Sequence, residues 1–262
     1  MTADEGHVPA MEITARIVVI GNEVLSGRTR DANINFLARE MTALGIRLVE
    51  ARVVRDIEHE IVRAIDECRA AATYVFTTGG IGPTHDDITA AAVAKAFGVE
   101  LLLDERALAC LRRQYSDPAD LNPARLRMAR IPAGAALIEN PVSNAPGFRI
   151  GNVFVMAGVP RIMQAMFDGV RPLLRTGRPM LSRTLTVHCP EGRIAGPLAE
   201  AQDAHPAVEI GSYPFIREDR LGVAVVLRAT EPGQLAEAAA DLRARLAPLS
   251  TALIEDDGAP CL

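Results

Sequence analysis

Lysine is almost missing from this chain. Lys95 is the only one among 262 residues, and arginine supplies the rest of the basic side chains. Lys95 falls in the middle of an alanine-rich helical pattern, so a catalytic or phosphate-cradling lysine is nearly excluded, and no GxxxxGKS or GxxxxGKT loop exists. Neither Gly21–Gly27 nor Gly79–Gly82 spells GxGxxG, which leaves a nicotinamide or flavin redox role without support. There is no GxSxG elbow for acyl transfer. The four cysteines show no CxxC spacing and the five histidines are scattered. That argues against a zinc site or a disulfide framework and for reduced thiols. The first ten residues lack the cationic and apolar regions of a secretory signal. No apolar run approaches the ~18 residues of a membrane span. The net charge of −5 favours neither nucleic acid nor an anionic membrane as partner. A soluble, cytoplasmic protein is expected.

What is present is a strand–helix alternation over the first two thirds of the chain. Arg16–Ile20, Leu48–Val54 and Tyr74–Thr78 read as strands. Between them lie helical patterns, one carrying Ile34, Leu37, Met41 and Leu44 and ending at Gly45, the other carrying Ile61, Ile65 and Cys68. A helix from Asp87 to Phe97 follows, then a broken helical region to Arg130. Beyond it lie a short strand at Ala136–Ile138, a hairpin of Phe148–Ile150 with Val153–Met156, and a helix carrying Ile162, Met163, Met166, Phe167 and Val170. This alternation predicts a mostly parallel sheet covered on both faces, with ligands beyond the carboxyl ends of the strands. Arg175–Pro179 reads as a linker between a domain at 12–176 and a small β-α-β-β-α module at 180–250. The module has no GxxG loop and is read as a packing or dimerisation unit, which makes the chain a homo-oligomer. The last dozen residues are read as a weakly ordered tail.

The run from Thr77 to Thr89, TTGGIGPTHDDIT, carries the most chemistry. Glycines permit positive φ and close approach of backbone to a ligand, and a helix start suits phosphate. Thr84 and Asp87 have the spacing of a capping box. Two adjacent acids beside a phosphate become useful when a divalent cation bridges them to phosphate oxygens. Glu23 and Asp56 also follow strand ends and Asp31 opens the first helix, and each alone reads first as a cap or a solvated loop charge. Together they suggest a divalent cation (Mg, Mn or Co) held by Asp86 and Asp87 with Glu23. The candidate substrate-binding set is Gly21, Asn22, Thr78, Gly79, Gly80, Gly82, Pro83, Thr84, Asn144 and Gly158. The turns at Gly21, Gly79 and Gly158 all fall at strand ends and share one crevice in this reading.

Four segments, Gly21–Gly27, Asp31-Ala32-Asn33, Thr78–Thr89 and Asn140–Phe148, resemble in order the molybdopterin-binding (MoaB/Mog-like) domain. That domain is shared by molybdopterin biosynthesis proteins and the competence/damage-inducible protein A (CinA) family, and the small module after it resembles the latter more. The resemblance implies a three-layer α/β/α fold and a small phosphorylated ligand, a nucleotide or a pterin such as molybdopterin. It implies catalytic roles for Asp56 and Asp87, and either adenylylation of molybdopterin or metal-dependent hydrolysis of ADP-ribose and related pyrophosphates. The nicotinamide-nucleotide amidase domain that often follows has no room here, so deamidation is not implied. Two departures stand out. Relatives read PGVPxEM where this chain has Ala157–Met163, so the family's acid is Ile162, and Ser143-Asn144 replaces the usual Gly-Thr before APGF.

Overall fold

The computed structural model describes residues 12–115, 117–217 and 220–249, and the strand 253–256 as backbone. The expectations for the first ten residues and for the stretch after 256 lie outside these. Two compact units divide between Gly177 and Arg178.

The first unit begins with β1 (Thr14–Ile20), α1 (Asn22–Leu25), α2 (Asn33–Ala43) and β2 (Arg47–Val54). Next come α3 (Glu58–Ala71), β3 (Tyr74–Thr78), α4 (Thr89–Phe97), β4 (Leu101–Leu103), α5 (Glu105–Gln114), α6 (Pro123–Leu126) and β5 (Arg130–Pro132). It closes with β6 (Ala136–Ile138), β7 (Gly147–Ile150), β8 (Val153–Met156) and α7 (Pro160–Val170). The main sheet has the order β2-β1-β3-β8-β7-β6. Strands β2, β1, β3 and β8 run parallel, and β7 turns back against β8.

Alternation along the strands feeds two cores. Val18, Ile20, Val75, Val153 and Val155 face α3, α4 and α5, while Ile17, Val19, Tyr74, Phe76, Phe154 and Met156 face α2 and α7. Phe76 and Phe154 stack at 5.4 Å between ring centroids. Each such fully buried side chain contributes about 1.5–3 kcal/mol relative to exposure. The result is the three-layer α/β/α arrangement.

Two features of this unit differ from the sequence reading. Helix α4 starts at Thr89, two residues after Asp87, so Thr84 does not cap it. Asp87 instead turns back to take the Thr84 N–H and hydroxyl at 2.7 and 2.5 Å, which closes the loop ahead of the helix. The broken helical region is flanked by two short strands, β4 and β5, paired antiparallel into a separate ribbon. The helix-end glycine Gly98, with φ of 64°, stops α4 as a left-handed cap.

The second unit contains β9 (Leu181–Val187), α8 (Ala195–Ala204), β10 (Glu209–Arg217), β11 (Arg220–Ala229), α9 (Pro232–Leu246) and β12 (Leu253–Asp256). Its sheet has the order β10-β11-β9-β12 and is antiparallel throughout. Residues 253–256, read from sequence as tail, are its fourth strand. Leu185, Val187, Val223, Val225 and Leu227 pack with Leu235, Ala238, Leu242 and Leu246 in a core of its own.

Candidate functional site

The chain leaves β1 for β2 on one side of the sheet and returns to β3 on the other. The order of strands therefore reverses between β1 and β3, the position at which open α/β sheets bind ligands. Gly21 and Gly79 follow the two strands that flank this point. Gly79 has a φ of 102°, and a Cβ there would lie 2.1 Å from the Ile20 carbonyl oxygen. Only glycine fits that approach. Gly158 after β8 packs against the same residue, its Cβ position 3.2 Å from the Gly79 Cα. The Thr89 hydroxyl, fully buried, donates to the Gly79 carbonyl at 3.0 Å and the Thr89 N–H to the Gly80 carbonyl at 3.0 Å. These bonds fix the turn. The three glycine turns are thus contiguous, as the sequence suggested.

A hollow lies on each side of the turn. The one toward α4 is a shallow recess open to solvent, lined by Gly80, Ile81, Gly82, Asp87, Arg127, Arg130 and an apolar wall that includes Phe148. Among the described residues, the N–H groups of Gly80, Ile81 and Gly82 meet no acceptor. Successive unsatisfied amides in a left-handed turn form an anion-binding concavity. Arg127 and Arg130 are exposed, and neither has a carboxylate within ion-pair distance among the described residues. Arg127 also donates to the His85 carbonyl at 3.4 Å, which ties it to the loop. The Thr84 side chain also acts on Asp86. It is the first cause holding the exposed Asp86 carboxyl below its ordinary range, with its own N–H and the charges of His85 and Arg127 adding to it.

The other hollow, of about 320 Å³, lies toward α2 and α7 and is lined by Glu23, Asp31, Asn33, Thr78, Gly158 and Pro160 among others. Strand alternation puts Thr78 on this face, two residues beyond Phe76. Thr78 is 1% and Asn33 is 3% exposed, yet Thr78 Oγ1 and Asn33 Oδ1 have no hydrogen-bond partner. The Asn33 amide nitrogen is fixed by donating to the Gly158 carbonyl at 2.8 Å, so its oxygen faces the other way. Asp31 Oδ1 accepts the Ile34 N–H at 2.8 Å and holds the start of α2.

The sequence-derived residues are distributed as follows. Gly80, Gly82 and Asp87 line the first hollow and Glu23, Thr78 and Gly158 the second, while Gly21 and Gly79 belong to neither lining. Asn22 and Asp56 lie outside both linings, where Asp56 Oδ2 accepts the Asn22 N–H at 2.8 Å. Pro83, Thr84 and Asp86 are on the exposed outer loop. Asn144, in a left-handed conformation with φ of 55°, bonds Gln114 on α5 at 3.0 Å and reaches neither hollow. Ile162 packs against the α2–α7 core where the family's acid is expected.

The residues expected to hold a divalent cation, Asp86, Asp87 and Glu23, do not line one hollow. Among the described residues no group of three or more His, Cys, Asp or Glu side chains comes together to hold a metal. Glu23 belongs to one hollow and Asp87 to the other, and Asp87 already accepts two hydrogen bonds. Sequence reasoning missed Asn33 as a site residue, although it ends the Asp31-Ala32-Asn33 segment. It also missed Arg127 and Arg130, which reach the loop from some 45 residues away.

Comparison with known proteins agrees with this architecture. Residues 16–176 match the family described as "Probable molybdopterin binding domain", and residues 179–253 match "FAD synthase, middle domain". A protein of Pyrobaculum calidifontis is 40% identical over 211 residues, covering 77% of this chain and 80% of its own length. A CinA-like protein of Syntrophus aciditrophicus is 38% identical over 227 residues, which is 82% of this chain but 54% of that protein. Among solved structures, the CinA protein of Thermoplasma acidophilum is 38% identical with a TM-score of 0.58, covering 62% of this chain and 97% of that one. Among the described residues no helix is long and apolar enough to cross a membrane. The glycine turn at the sheet's switch point, the strand order and these likenesses together place the chain in the MoaB/Mog-like probable molybdopterin-binding domain family, among its CinA-like members.

Proposed function

We propose that the chain binds a phosphorylated nucleotide or pterin across the Gly79–Gly80 turn and hydrolyses a phosphoanhydride bond in it, in the manner of an ADP-ribose-type nucleotide pyrophosphatase. One observation carries this reading: the acceptor-free N–H groups of Gly80, Ile81 and Gly82 stand beside two guanidiniums without carboxylate partners. Backbone amides and arginines are the groups that cradle phosphate oxygens. Arg127 and Arg130 neutralise the pyrophosphate and the charge that grows on the leaving oxygen as its bond to phosphorus breaks. Asp87 is the carboxylate of that hollow and orients the attacking water. Water oxygen joins one phosphorus, the bridging P–O bond breaks, and ADP-ribose yields AMP and ribose 5-phosphate. The likeness of the second unit to part of an FAD synthase supports a dinucleotide class, since FAD carries the same kind of linkage.

The residues do not preassemble a cation site, so no step is routed through a metal; turnover is measured both with and without Mg, Mn or Co. AMP release from ADP-ribose or FAD, lost in Asp87→Ala and reduced at least tenfold in Arg127→Gln, is the expected result. Tight binding with no turnover under any of these conditions would instead favour a non-catalytic binding protein. The packing of Ile162 into the core, where relatives carry an acid, and the engagement of Asp87 by Thr84 support that second reading. Adenylylation of molybdopterin with ATP makes and breaks the same kind of bond and is assayed in parallel.

A further inference from the structure

Two buried polar groups stand unsatisfied against the glycine turn. Thr78, the residue before Gly79, is 1% exposed and Asn33 is 3% exposed, yet Thr78 Oγ1 and Asn33 Oδ1 have no hydrogen-bond partner. Asn33 is held there by its amide nitrogen, which donates to the carbonyl of Gly158, the residue packed on Gly79. Flipping the amide to offer N–H would break that bond. Half-buried Asp31 spends Oδ1 on the Ile34 N–H, and its Oδ2 meets no donor among the described residues. All three side chains line the hollow toward α2 and α7, where the guanidinium of Arg30 is exposed. The buried part of this hollow therefore lacks donors. A buried acceptor left unmet costs free energy, and a ligand that supplies the missing hydrogen removes that cost.

From this lining we infer that the hollow is a subsite for the vicinal diol of a ribose 5-phosphate unit, whose hydroxyls donate to Asn33 Oδ1, Thr78 Oγ1 and the Asp31 carboxylate. This rests on the phosphate reading above and adds which part of the ligand fills the second hollow. Position along the ligand's covalent chain carries the assignment. Thr78 stands one residue, about 3.3 Å of strand, before the turn to which that reading assigns the phosphate. The group bonded directly to a nucleotide phosphate is the sugar, whereas the base lies a full ring further on. A diol also suits the acceptors, because each of its two adjacent O–H groups rotates its hydrogen toward a neighbouring oxygen. An acid that takes a ribose hydroxyl is the arrangement dinucleotide-binding sheets use beside their own glycine turns. ADP-ribose carries such a unit on each side of its pyrophosphate, and the test separates the two.

Calorimetry on the full chain compares ribose 5-phosphate with 2-deoxyribose 5-phosphate, AMP with 2′-deoxy-AMP, and inorganic phosphate alone. None of the sugar phosphates carries a phosphoanhydride bond, so turnover does not interfere. Removing the hydroxyl is expected to lower affinity about tenfold, the penalty of a buried polar group left unpaired. A loss in the first pair assigns the hollow to the terminal sugar of ADP-ribose, and a loss in the second to its adenosine side. Thr78→Val, which keeps shape and removes the orphaned hydroxyl, is expected to erase most of that preference. Inorganic phosphate should bind this variant as before, and its melting temperature should be unchanged or raised. A purely structural role for Thr78 would move stability and not the ribose-to-deoxyribose ratio, and would overturn its assignment. Equal affinities within both pairs, or sugar phosphates that bind no tighter than inorganic phosphate, overturn the inference while leaving the phosphate reading intact. Failure of every ligand to bind, inorganic phosphate included, overturns both.

Discussion

Replacing Gly79 by alanine tests the close approach on which the whole site depends. Two effects add. At a φ of 102° a residue with a Cβ sits in sparsely populated backbone space, at a cost of about 1–3 kcal/mol. The new Cβ would also stand 2.1 Å from the Ile20 carbonyl oxygen, a backbone atom with no rotamer to change. Relief requires the end of β3 to move away from β1, where Val19 pairs with Thr78, and the loss of one or two ladder bonds adds about 0.5–1.5 kcal/mol each. The sum is about 1.5–6 kcal/mol. Gly27→Ala is the matched control: its φ of 72° is also left-handed, but nothing lies within 4 Å of the added Cβ. That substitution carries the left-handed cost, partly offset by a less flexible unfolded chain, and is expected to cost about 1 kcal/mol. The chain has no tryptophan, so hydrogen exchange resolved by peptide is the suitable assay. Protection in β1 and β3 is read against β11, whose unit serves as internal reference. Equal loss of protection in the two variants would refute the argument that backbone contact with Ile20 makes Gly79 obligatory.

Other outcomes follow from single contacts. Thr89→Val deletes the buried donor to the Gly79 carbonyl and is expected to cost about 1–3 kcal/mol and weaken phosphate binding; denaturant melts with and without ADP check both. Asp104 caps α5 by accepting the Arg106 and Ala107 N–H groups, and the Arg106 guanidinium is the first cause holding its carboxyl below the ordinary range. Because its folded pKa is depressed, its stabilisation is complete above the unfolded value of about 3.9 and disappears as pH falls through the folded one. Asp104→Ala should therefore cost about 1 kcal/mol at pH 7, with the gap to the parent chain closing below pH 4 in thermal melts. If the phosphate reading holds, binding of ADP should weaken with added salt, and less steeply in Arg127→Gln, as titrations at several ionic strengths would reveal.

The parts of the fold that could be read from sequence are those with one dominant signal. Tyr74–Thr78 is buried throughout, so its apolar run marked a strand with correct ends, and left-handed Gly45 and Gly98 marked the ends of α2 and α4. The start of α4 was misplaced because the Thr84–Asp87 pair makes half of a capping box while closing a loop instead. Leu101–Leu103 is three leucines with no alternation, which does not separate a strand from a helix turn, so the β4–β5 ribbon went unseen. β12 was hidden among acidic residues, since its strand character comes from pairing with β9 and not from its own composition. The glycine turn was legible because close approach demands glycine. Arg127 and Arg130 were not, since nothing local ties an arginine in a short helical turn to a loop 45 residues earlier. The acids stand near strand ends as read, with Glu23 lining one hollow, Asp87 the other, and Asp56 accepting the Asn22 N–H.

The pairing of β9 with β12 has a consequence for how the chain is made. The six strands of the first sheet are all translated by residue 156, whereas β9 at Leu181–Val187 meets its outer neighbour only when residues 253–256 emerge. At a ribosome adding roughly 5–20 residues per second, that row of backbone donors and acceptors waits some seconds uncovered. A polypeptide stalled short of residue 253 would present an open strand to chaperones and to other nascent copies, while the sheet of the first unit would already have all its strands.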